Sequence, residues 1–188
     1  TTRFFTARAS GRLVVGIGSA SVLENSISLL HTWGVPYLPG SALKGLASAV
    51  AHRNDANGGQ WNKPSNPGAA REGQGDSHHA LFGSTEGAGA VVFHDAWWIP
   101  DGDRLPLDPD VMTVHHQAYY GSGSPPLDSD EPIPVPFISA QGSYLVALSG
   151  PAEWIVAAES LLRHGLAHDG IGAKTNAGYG RMSLDRYE

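Results

Sequence analysis

The sequence predicts an α+β fold in which strands and helices follow one another as strand, helix, strand, strand, helix, strand. Two segments with helical apolar spacing predict the helices, and apolar residues that alternate along the segments around them predict the strands. This order is that of the split βαβ, or ferredoxin-like, arrangement, which RNA-recognition modules share. Such a sheet has helices on one face and can expose the other, although the paired aromatic residues of those modules are not found on the predicted central strands.

Four segments carry the strand signal. Leu13, Val15 and Ile17 alternate, which predicts a first strand over about residues 11 to 19. The second, third and fourth strands are predicted over residues 90 to 98, 142 to 148 and 179 to 187. In the third strand of the chain, Tyr144 and Val146 alternate in the same way as the residues of the first.

Two helices carry start signals. Ser41 is a good N-cap, and the helix after it is predicted to end near Arg53. Gly150 as N-cap, Pro151 at the first helical position and Glu153 in the first turn predict the start of the second helix. The apolar faces consist of Leu43, Leu46, Ala47 and Val50 in the first helix and of Trp154, Ala158, Leu161 and Leu162 in the second.

Two further segments are predicted to be long loop insertions. Residues 54 to 79 are rich in Gly and Pro and poor in large apolar side chains, so we expect a flexible insertion. Residues 101 to 131 hold seven acidic residues against Arg104 alone, and prolines continue to Pro136. Because proline disfavours helices and internal strands, residues 101 to 136 are predicted to form an acidic loop or extended arm. We expect this arm to lie away from bound RNA, either loose in the free protein or docked on a neighbouring protein.

Composition bounds the class of protein. A chain of 188 residues with 41% apolar content predicts one domain over residues 1 to 188. The absence of cysteine excludes disulfides and thiolate metal sites, and no signal peptide or bilayer-spanning segment is evident, so we expect a soluble, cytoplasmic protein. Thr1 is not an initiator methionine, which indicates processing or trimming of the N-terminus. The net charge of −6 excludes RNA binding by global charge but leaves room for a local basic groove.

The glycine-rich segment from 170 to 180 is the strongest candidate for a binding site. Glycines at 170, 172, 178 and 180 surround Lys174 and Thr175, and exposed amides of such a loop can form a concave anion site. The natural ligand is a phosphate backbone. A P-loop is excluded, because its required glycines would fall on His168 and Ala173, and no third glycine completes a dinucleotide fingerprint. The alternative is a plain glycine-rich connection between a helix and a strand.

A second candidate lies at the start of the first helix. Lys44 in the first turn is unfavourable, because a helix N-terminus carries partial positive charge and prefers an anion. A phosphate bound there would explain both Lys44 and the helix-weakening Gly45. A solvent-facing Lys44 with Gly45 packed against the sheet is the alternative.

Several ordered motifs carry a resemblance to a known family. They are Pro-Gly-Ser-Ala-Leu-Lys-Gly at 39 to 45, Leu-Phe-Gly at 81 to 83 with the strand after Gly89, and the loop from 170 to 180. Together they resemble the RAMP superfamily of CRISPR proteins. The segments at 115 to 120 and 132 to 137 narrow the resemblance to the sixth-subunit family of the Cmr module in type III-B effector complexes.

The resemblance implies a ferredoxin-like core without a nuclease site of its own. It implies a non-catalytic, RNA-binding structural subunit for antiviral defence, which caps the filament near the 3′ end of the guide RNA without a cofactor or metal. The implied partners are guide RNA and its duplex with target RNA, other RAMP subunits and the small helical subunit, with no membrane. The RNA-binding residues that it implies are Lys44, Gly45, Gly170, Gly172, Lys174, Thr175, Gly178, Tyr179, Gly180 and Arg181. Lys44 and Lys174 would contact phosphates, and Tyr179 and Arg181 would shape the loop; Ser48 departs from the arginine that relatives often carry.

An endoribonuclease that processes CRISPR repeat RNA is the alternative function, because such enzymes share the fold. Metal-free cleavage needs a general acid and base, for which His31, His94, His115 and His116 are available. The adjacent pairs His78-His79 and His115-His116 lack the i, i+4 spacing of a helical metal site. For Asp95, a hydrogen-bonded carboxylate at a strand end is the better interpretation.

Overall fold

The computed structural model describes residues 1–17, 27–55, 59–63, 72–114 and 133–187. Within these ranges the chain forms three α-helices and eight β-strands. Their order is β1 (Thr2–Ala9), β2 (Tyr37–Leu38), α1 (Gly40–Asn54), α2 (Asp76–Phe82), β3 (Val92–Phe93), β4 (Ala96–Ile99), β5 (Leu107–Val114), β6 (Ile133–Ala140), β7 (Ser143–Ser149), α3 (Ala152–His168) and β8 (Met182–Arg186).

The main sheet has the strand order β2, β4, β7, β1, β8, and β3 also pairs with β7. The pairs β1 with β7, β1 with β8 and β4 with β7 are all antiparallel. The order β4, β7, β1, β8 is that of the split βαβ arrangement, so the predicted fold class is confirmed.

One face of this sheet forms the core with the helices. Alternate residues of β7 and β1 are buried, among them Tyr144, Val146 and Phe5, as period-two strands require. α3 contributes Ile155, Ala158, Leu162 and Leu166, and α1 contributes Leu43, Ala47 and Ala51. The other face of the sheet carries half-exposed side chains such as Phe4 and Trp97.

The first strand was predicted in the wrong place. It is β1, in which Phe5 and Ala7 are buried between more exposed neighbours, and not residues 11 to 19. Leu13, Val14 and Val15 are all buried in succession, which no strand with one buried face allows. The backbone of these residues is hydrogen-bonded to three different parts of the fold, at Ala140, Ala173 and Ser28. The segment is therefore irregular.

The predicted second strand is interrupted at His94 and Asp95, which separate β3 from β4. The Asp95 carboxylate accepts a hydrogen bond of 2.7 Å from the amide of Gly40, where α1 begins. The interpretation of Asp95 as a hydrogen-bonded strand-end carboxylate is therefore confirmed. Ser41 is not the N-cap, since α1 already includes Gly40. A side chain at Gly40 would overlap the carbonyl of Phe93, which explains the glycine there.

The other predicted elements agree with the structure to within a few residues. β7 and α3 each begin one residue later than predicted, and the N-cap of α3 is Pro151 and not Gly150. β8 begins at Met182, later than the predicted residue 179.

The segment from 54 to 79 is more structured than predicted where the structure describes it. Asp55 accepts hydrogen bonds from the amides of Gly59 and Trp61, and α2 begins at Asp76. His78 is only 6% exposed; its ring lies against Phe82 and its Nε2 is 2.8 Å from the Ser48 hydroxyl. Residues 56–58 and 64–71 lie outside the described residues, and flexibility of the insertion stays a prediction.

The acidic, proline-rich segment also contains regular structure. β5 and β6 pair along their whole length as a two-stranded antiparallel sheet, which we call the ribbon. Proline was expected to disfavour internal strands and to leave an extended arm. Both strands of a two-stranded sheet are edges, where a missing N–H is tolerated. Pro109, Pro134 and Pro136 all lie in these strands. Residues 115–132 lie outside the described residues.

Candidate nucleic-acid interface

The segment from Gly170 to Gly180, which we call the glycine loop, joins α3 to β8. Its two ends are held together by a hydrogen bond of 2.9 Å from the Ile171 amide to the Gly180 carbonyl. The Ala173 and Gly180 amides donate to the carbonyls of Val14 and Arg12 at 2.7 and 2.9 Å. The loop is thus fixed by the irregular segment that follows β1.

The four glycines of the loop all have positive φ, from +73° to +92°, which favours glycine. A Cβ at Gly172 would overlap the Val14 carbonyl, and one at Gly180 would overlap the Ile171 carbonyl. Gly170 is similarly close to Tyr179. The close approach at these three positions is therefore to the protein's own backbone. At Gly178 a Cβ would meet open space, so only its conformation requires glycine.

Lys174 is the one non-glycine residue with positive φ in the described ranges, at +60°. This left-handed conformation costs an L-residue about 1–2 kcal/mol. The Lys174 carbonyl accepts the amides of Ala177 and Tyr179, which closes a short turn at the tip of the loop. The Lys174 Nζ lies 6.0 Å from the centroid of the Phe137 ring, at the limit of a cation–π contact.

Four amides around Lys174 are available to a ligand. Within the described residues, the amides of Gly172, Lys174, Thr175 and Asn176 donate no hydrogen bond to the protein. Gly172 and Asn176 are exposed, and Lys174 and Thr175 are half-buried. Free amides next to an ammonium group are suited to an anion such as a phosphate.

The ribbon contacts the glycine loop directly. The Tyr179 hydroxyl lies 2.8 Å from Asp110 in β5, and its ring lies 6.1 Å from that of Phe137 in β6. Arg12 forms ion pairs with Asp108 at 2.9 Å and with Asp110 at 3.3 Å. The prediction that the acidic segment lies away from the loop is therefore wrong. Arg12 lies beside the loop and offers the carboxylates a cation there.

This contact changes the acidity of both partners. Burial alone would raise the pKa of Asp110, but hydrogen bonds from Tyr179 and the Val111 amide, together with Arg12, hold it below its usual value. The hydrogen bond to Asp110 raises the pKa of Tyr179, and burial adds to this. The arrangement therefore keeps a charged carboxylate against a protonated phenol.

Arg181 has a structural contact of its own. One of its guanidinium nitrogens lies 3.4 Å from the carbonyl of Ala167 in the last turn of α3. A cation is favourable there, because the C-terminal end of a helix carries partial negative charge. Arg181 thus helps to fix the loop to α3.

The candidate phosphate site at the start of α1 has different surroundings from those predicted. The Asp95 carboxylate already serves as the anion at the start of α1, so no external phosphate is needed to explain the glycine-rich motif. Lys44 is half-buried, and Gly45 is exposed with open space where a side chain would be, so Gly45 does not pack against the sheet.

Lys44 lies near the start of α1, whereas the glycine loop lies near its end. Arg53, in the last turn of α1, forms an ion pair with Asp169 at the end of α3, next to Gly170. Lys44 lies nine residues earlier in the same helix, which is about 13 Å of rise. The fold therefore gathers the residues of the glycine loop but does not join Lys44 and Gly45 to them.

A sequence model of the RAMP superfamily matches residues 6–183. The chain belongs to the RAMP superfamily. Among curated proteins, this RAMP chain is similar to the CRISPR system Cmr subunit Cmr6 of Pyrococcus furiosus, with 32% identity over 223 aligned residues. The match covers 93% of this chain but only 66% of that relative's length.

Two solved structures are similar to this RAMP chain. The crystal structure of Cmr6 from Pyrococcus furiosus shares 31% identity with a TM-score of 0.57, covering all of this chain and 97% of the other. A chain in the cryo-EM structure of the Type III-B Cmr-beta bound to cognate target RNA has a TM-score of 0.74 at 18% identity. That match covers all of this chain and 60% of the other, and it concerns the fold alone. The expected resemblance to Cmr6 is confirmed.

The histidines considered for catalysis in this RAMP chain are scattered. His31 is exposed, and His94 Nε2 lies 2.8 Å from the hydroxyl of Ser149. His115 and His116 lie outside the described residues. Across the described ranges, no three metal-ligating side chains converge, and no helix has the length and apolarity to cross a membrane.

Sequence reasoning missed the residues that the RAMP fold brings to the glycine loop from elsewhere. Arg12, Asp110 and Phe137 contact the loop or its neighbours although they lie far from it along the chain. Nothing local marks these side chains, because their proximity depends on the pairing of β1 with β8 and on the position of the ribbon.

Proposed function

We propose that this chain is a non-catalytic, RNA-binding structural subunit of a type III-B CRISPR ribonucleoprotein complex. In this proposal it caps the filament near the 3′ end of the guide RNA, next to other RAMP subunits and the small helical subunit. The observation that carries the proposal is the similarity to Cmr6, at 32% identity over 93% of the chain. The likeness to a chain from an assembly bound to target RNA supports the fold that the proposal requires.

In the proposed contact, the glycine loop binds the phosphate backbone of the guide RNA. Lys174 supplies the charge, and the free amides of Gly172, Lys174, Thr175 and Asn176 supply hydrogen bonds to phosphate oxygens. Gly170, Gly178, Gly180, Tyr179 and Arg181 hold the loop in shape. At the other end of α1, Lys44 is half-buried and Gly45 is exposed. Lys44 would contact a separate phosphate there.

Charge removal at the loop tests this contact. Lys174→Ala should weaken binding of a fluorescent single-stranded guide-length RNA and lower the slope of log K against log salt by about 0.7, the value of one phosphate on a single strand. Lys63→Ala, which removes an exposed lysine elsewhere, is the matched control. Equal slopes for wild type and Lys174→Ala would exclude a direct contact between Lys174 and phosphate.

A further inference from the structure

The end of α3 carries two histidines on one face of the helix. His164 and His168 are four residues apart, and both side chains are exposed. Residues at this spacing lie one above the other on an α-helix, so the two imidazoles leave the same side of α3. Their ring centroids are 4.5 Å apart, and the ring planes are inclined by 42°. The two rings are therefore neighbours in space and open to solvent.

This separation suits two ligands of one metal ion. An imidazole nitrogen lies about 2.0–2.1 Å from a bound zinc ion, so two nitrogens on the same ion are about 3 Å apart. Rings with centroids 4.5 Å apart are close enough for one nitrogen of each to reach that separation. Histidines at i and i+4 on one helical face are also the spacing of helical zinc sites.

The ring nitrogens of this pair are not used elsewhere in the described part of the chain. There, neither His164 nor His168 forms a hydrogen bond or an ion pair. By contrast, His52, His78 and His94 each use a ring nitrogen in a hydrogen bond. The pair at the end of α3 thus keeps its nitrogens for an external ligand.

The position of the pair on the helix also favours a cation. His168 is the last residue of α3, and the final carbonyls of a helix carry partial negative charge. Arg163, which precedes His164, is ion-paired with Glu159 at 3.0 Å, so its charge is partly compensated. Arg181 donates to a carbonyl of the last turn. The net charge of the chain, −6, attracts cations in addition.

We propose that His164 and His168 form a chelating site for a late first-row divalent cation, the class of Zn²⁺, Ni²⁺ and Cu²⁺. Imidazole nitrogen is a good ligand for these ions, whereas Mg²⁺ and Ca²⁺ prefer oxygen ligands. In the described ranges no third metal-ligating side chain joins the pair, so water completes the coordination shell. The inference goes beyond the proposed RNA contact and does not depend on it.

A bound ion would connect two successive turns at the end of α3. The glycine loop starts two residues after His168, where the Gly170 amide donates a hydrogen bond of 2.9 Å to the Gly165 carbonyl. Because the chelate requires the helix, the ion binds the folded chain more tightly than the unfolded one. Zn²⁺ should therefore raise the unfolding temperature of the wild-type protein.

Metal titration of the full chain without a histidine tag tests this inference. In competition with a chromogenic chelator, the wild-type protein should take up Zn²⁺ or Ni²⁺, and excess Mg²⁺ should not displace it. His164→Gln and His168→Gln should each weaken this binding at least about tenfold, because one imidazole alone loses the chelate. His31→Gln, at an exposed histidine elsewhere, is the control and should bind like wild type. Equal affinities of wild type, His164→Gln and His168→Gln would overturn the inference.

Paramagnetic broadening by Cu²⁺ locates the ion without any substitution. Less than one equivalent of Cu²⁺, added to the wild-type protein, should broaden the imidazole proton NMR signals of His164 and His168 before those of the other histidines. Broadening that begins at other histidines would show that the pair is not the preferred site, and would also overturn the inference.

Discussion

Tyr179 in the glycine loop is hydrogen-bonded to Asp110 in the ribbon, with 2.8 Å between the hydroxyl and the carboxylate. Asp110 also forms an ion pair with Arg12, which precedes the segment that fixes the loop. The acidic ribbon and the proposed RNA-binding loop are therefore parts of one structure. Because Arg12 partly neutralises Asp108 and Asp110, their repulsion of a nearby phosphate is reduced.

The first prediction concerns this contact. Asp110→Asn and Tyr179→Phe should each lower the free energy of unfolding by about 1 kcal/mol, since each removes part of a charge-assisted hydrogen bond near the surface. The double variant should lose less than the sum, because both changes remove the same bond. Urea unfolding of the four proteins measures this coupling.

Asp103→Asn is the control for the loss of one negative charge, since Asp103 is exposed in the same segment. It should leave stability nearly unchanged. Additive effects of Asp110→Asn and Tyr179→Phe would mean that the two side chains do not interact in solution.

The sequence predicted the elements whose local pattern decides their structure. Tyr144 and Val146 alternate in β7, and Ala158 and Leu162 share one face of α3. The spacing of apolar residues along the sequence was therefore sufficient to locate both elements. The first strand was misplaced because Leu13, Val15 and Ile17 have a stronger alternation than Phe5 and Ala7. Pairing with β7 and β8, which local sequence does not record, selects β1 instead.

The candidate site was predictable only in part. Glycine spacing located the loop around Lys174, but it could not distinguish close approach to RNA from close approach to Val14 and Ile171. Proline content predicted an extended arm but not the pairing of β5 with β6, whose edge strands tolerate proline. The position of Asp110 beside Tyr179 is a tertiary contact over 69 residues of sequence and has no local signal.

The second prediction distinguishes two roles of glycine in the loop. Gly172→Val should destabilise the fold by more than about 2 kcal/mol, because it combines positive φ with an overlap with the Val14 carbonyl. Gly178→Val, the same change at an open position, carries only the conformational strain and should cost less. Thermal unfolding of both variants checks the difference. Equal losses of stability in the two variants would show that the close approach to Val14 is not the reason why position 172 requires glycine.

The third prediction is a dependence of stability on pH. Burial lowers the pKa of His78, and the positive charge of Lys63 and the neighbouring histidines lowers it further. The folded protein therefore prefers neutral His78, so this contribution is complete above the usual pKa of 6.5 and is lost as the pH falls below it.

His78→Gln should reduce the fall in unfolding free energy between pH 7.5 and pH 5 by up to about 1.4 kcal/mol per pH unit in the steepest part. His79→Gln, at the exposed neighbouring residue, should keep the wild-type dependence. Identical pH profiles for wild type and His78→Gln would contradict a lowered pKa for His78.

The fourth prediction is that the purified chain does not cleave CRISPR repeat RNA, with or without Mg²⁺. His94 is hydrogen-bonded to the Ser149 hydroxyl, and His31 is exposed. Among the described residues, neither histidine contacts a second group that could act as general acid or base. Denaturing gels of end-labelled repeat RNA measure this directly. Cleavage at one position that disappears in His31→Ala or His94→Ala would favour the endoribonuclease alternative.

The most direct test of the central claim is affinity purification of the tagged full-length protein from its native host, followed by RNA sequencing and mass spectrometry. Guide RNAs with CRISPR repeat sequence should copurify together with other RAMP subunits and a small helical subunit, and Lys174→Ala should reduce the recovered RNA. Recovery of the protein without guide RNA and without other RAMP proteins would contradict the assignment to a type III-B complex.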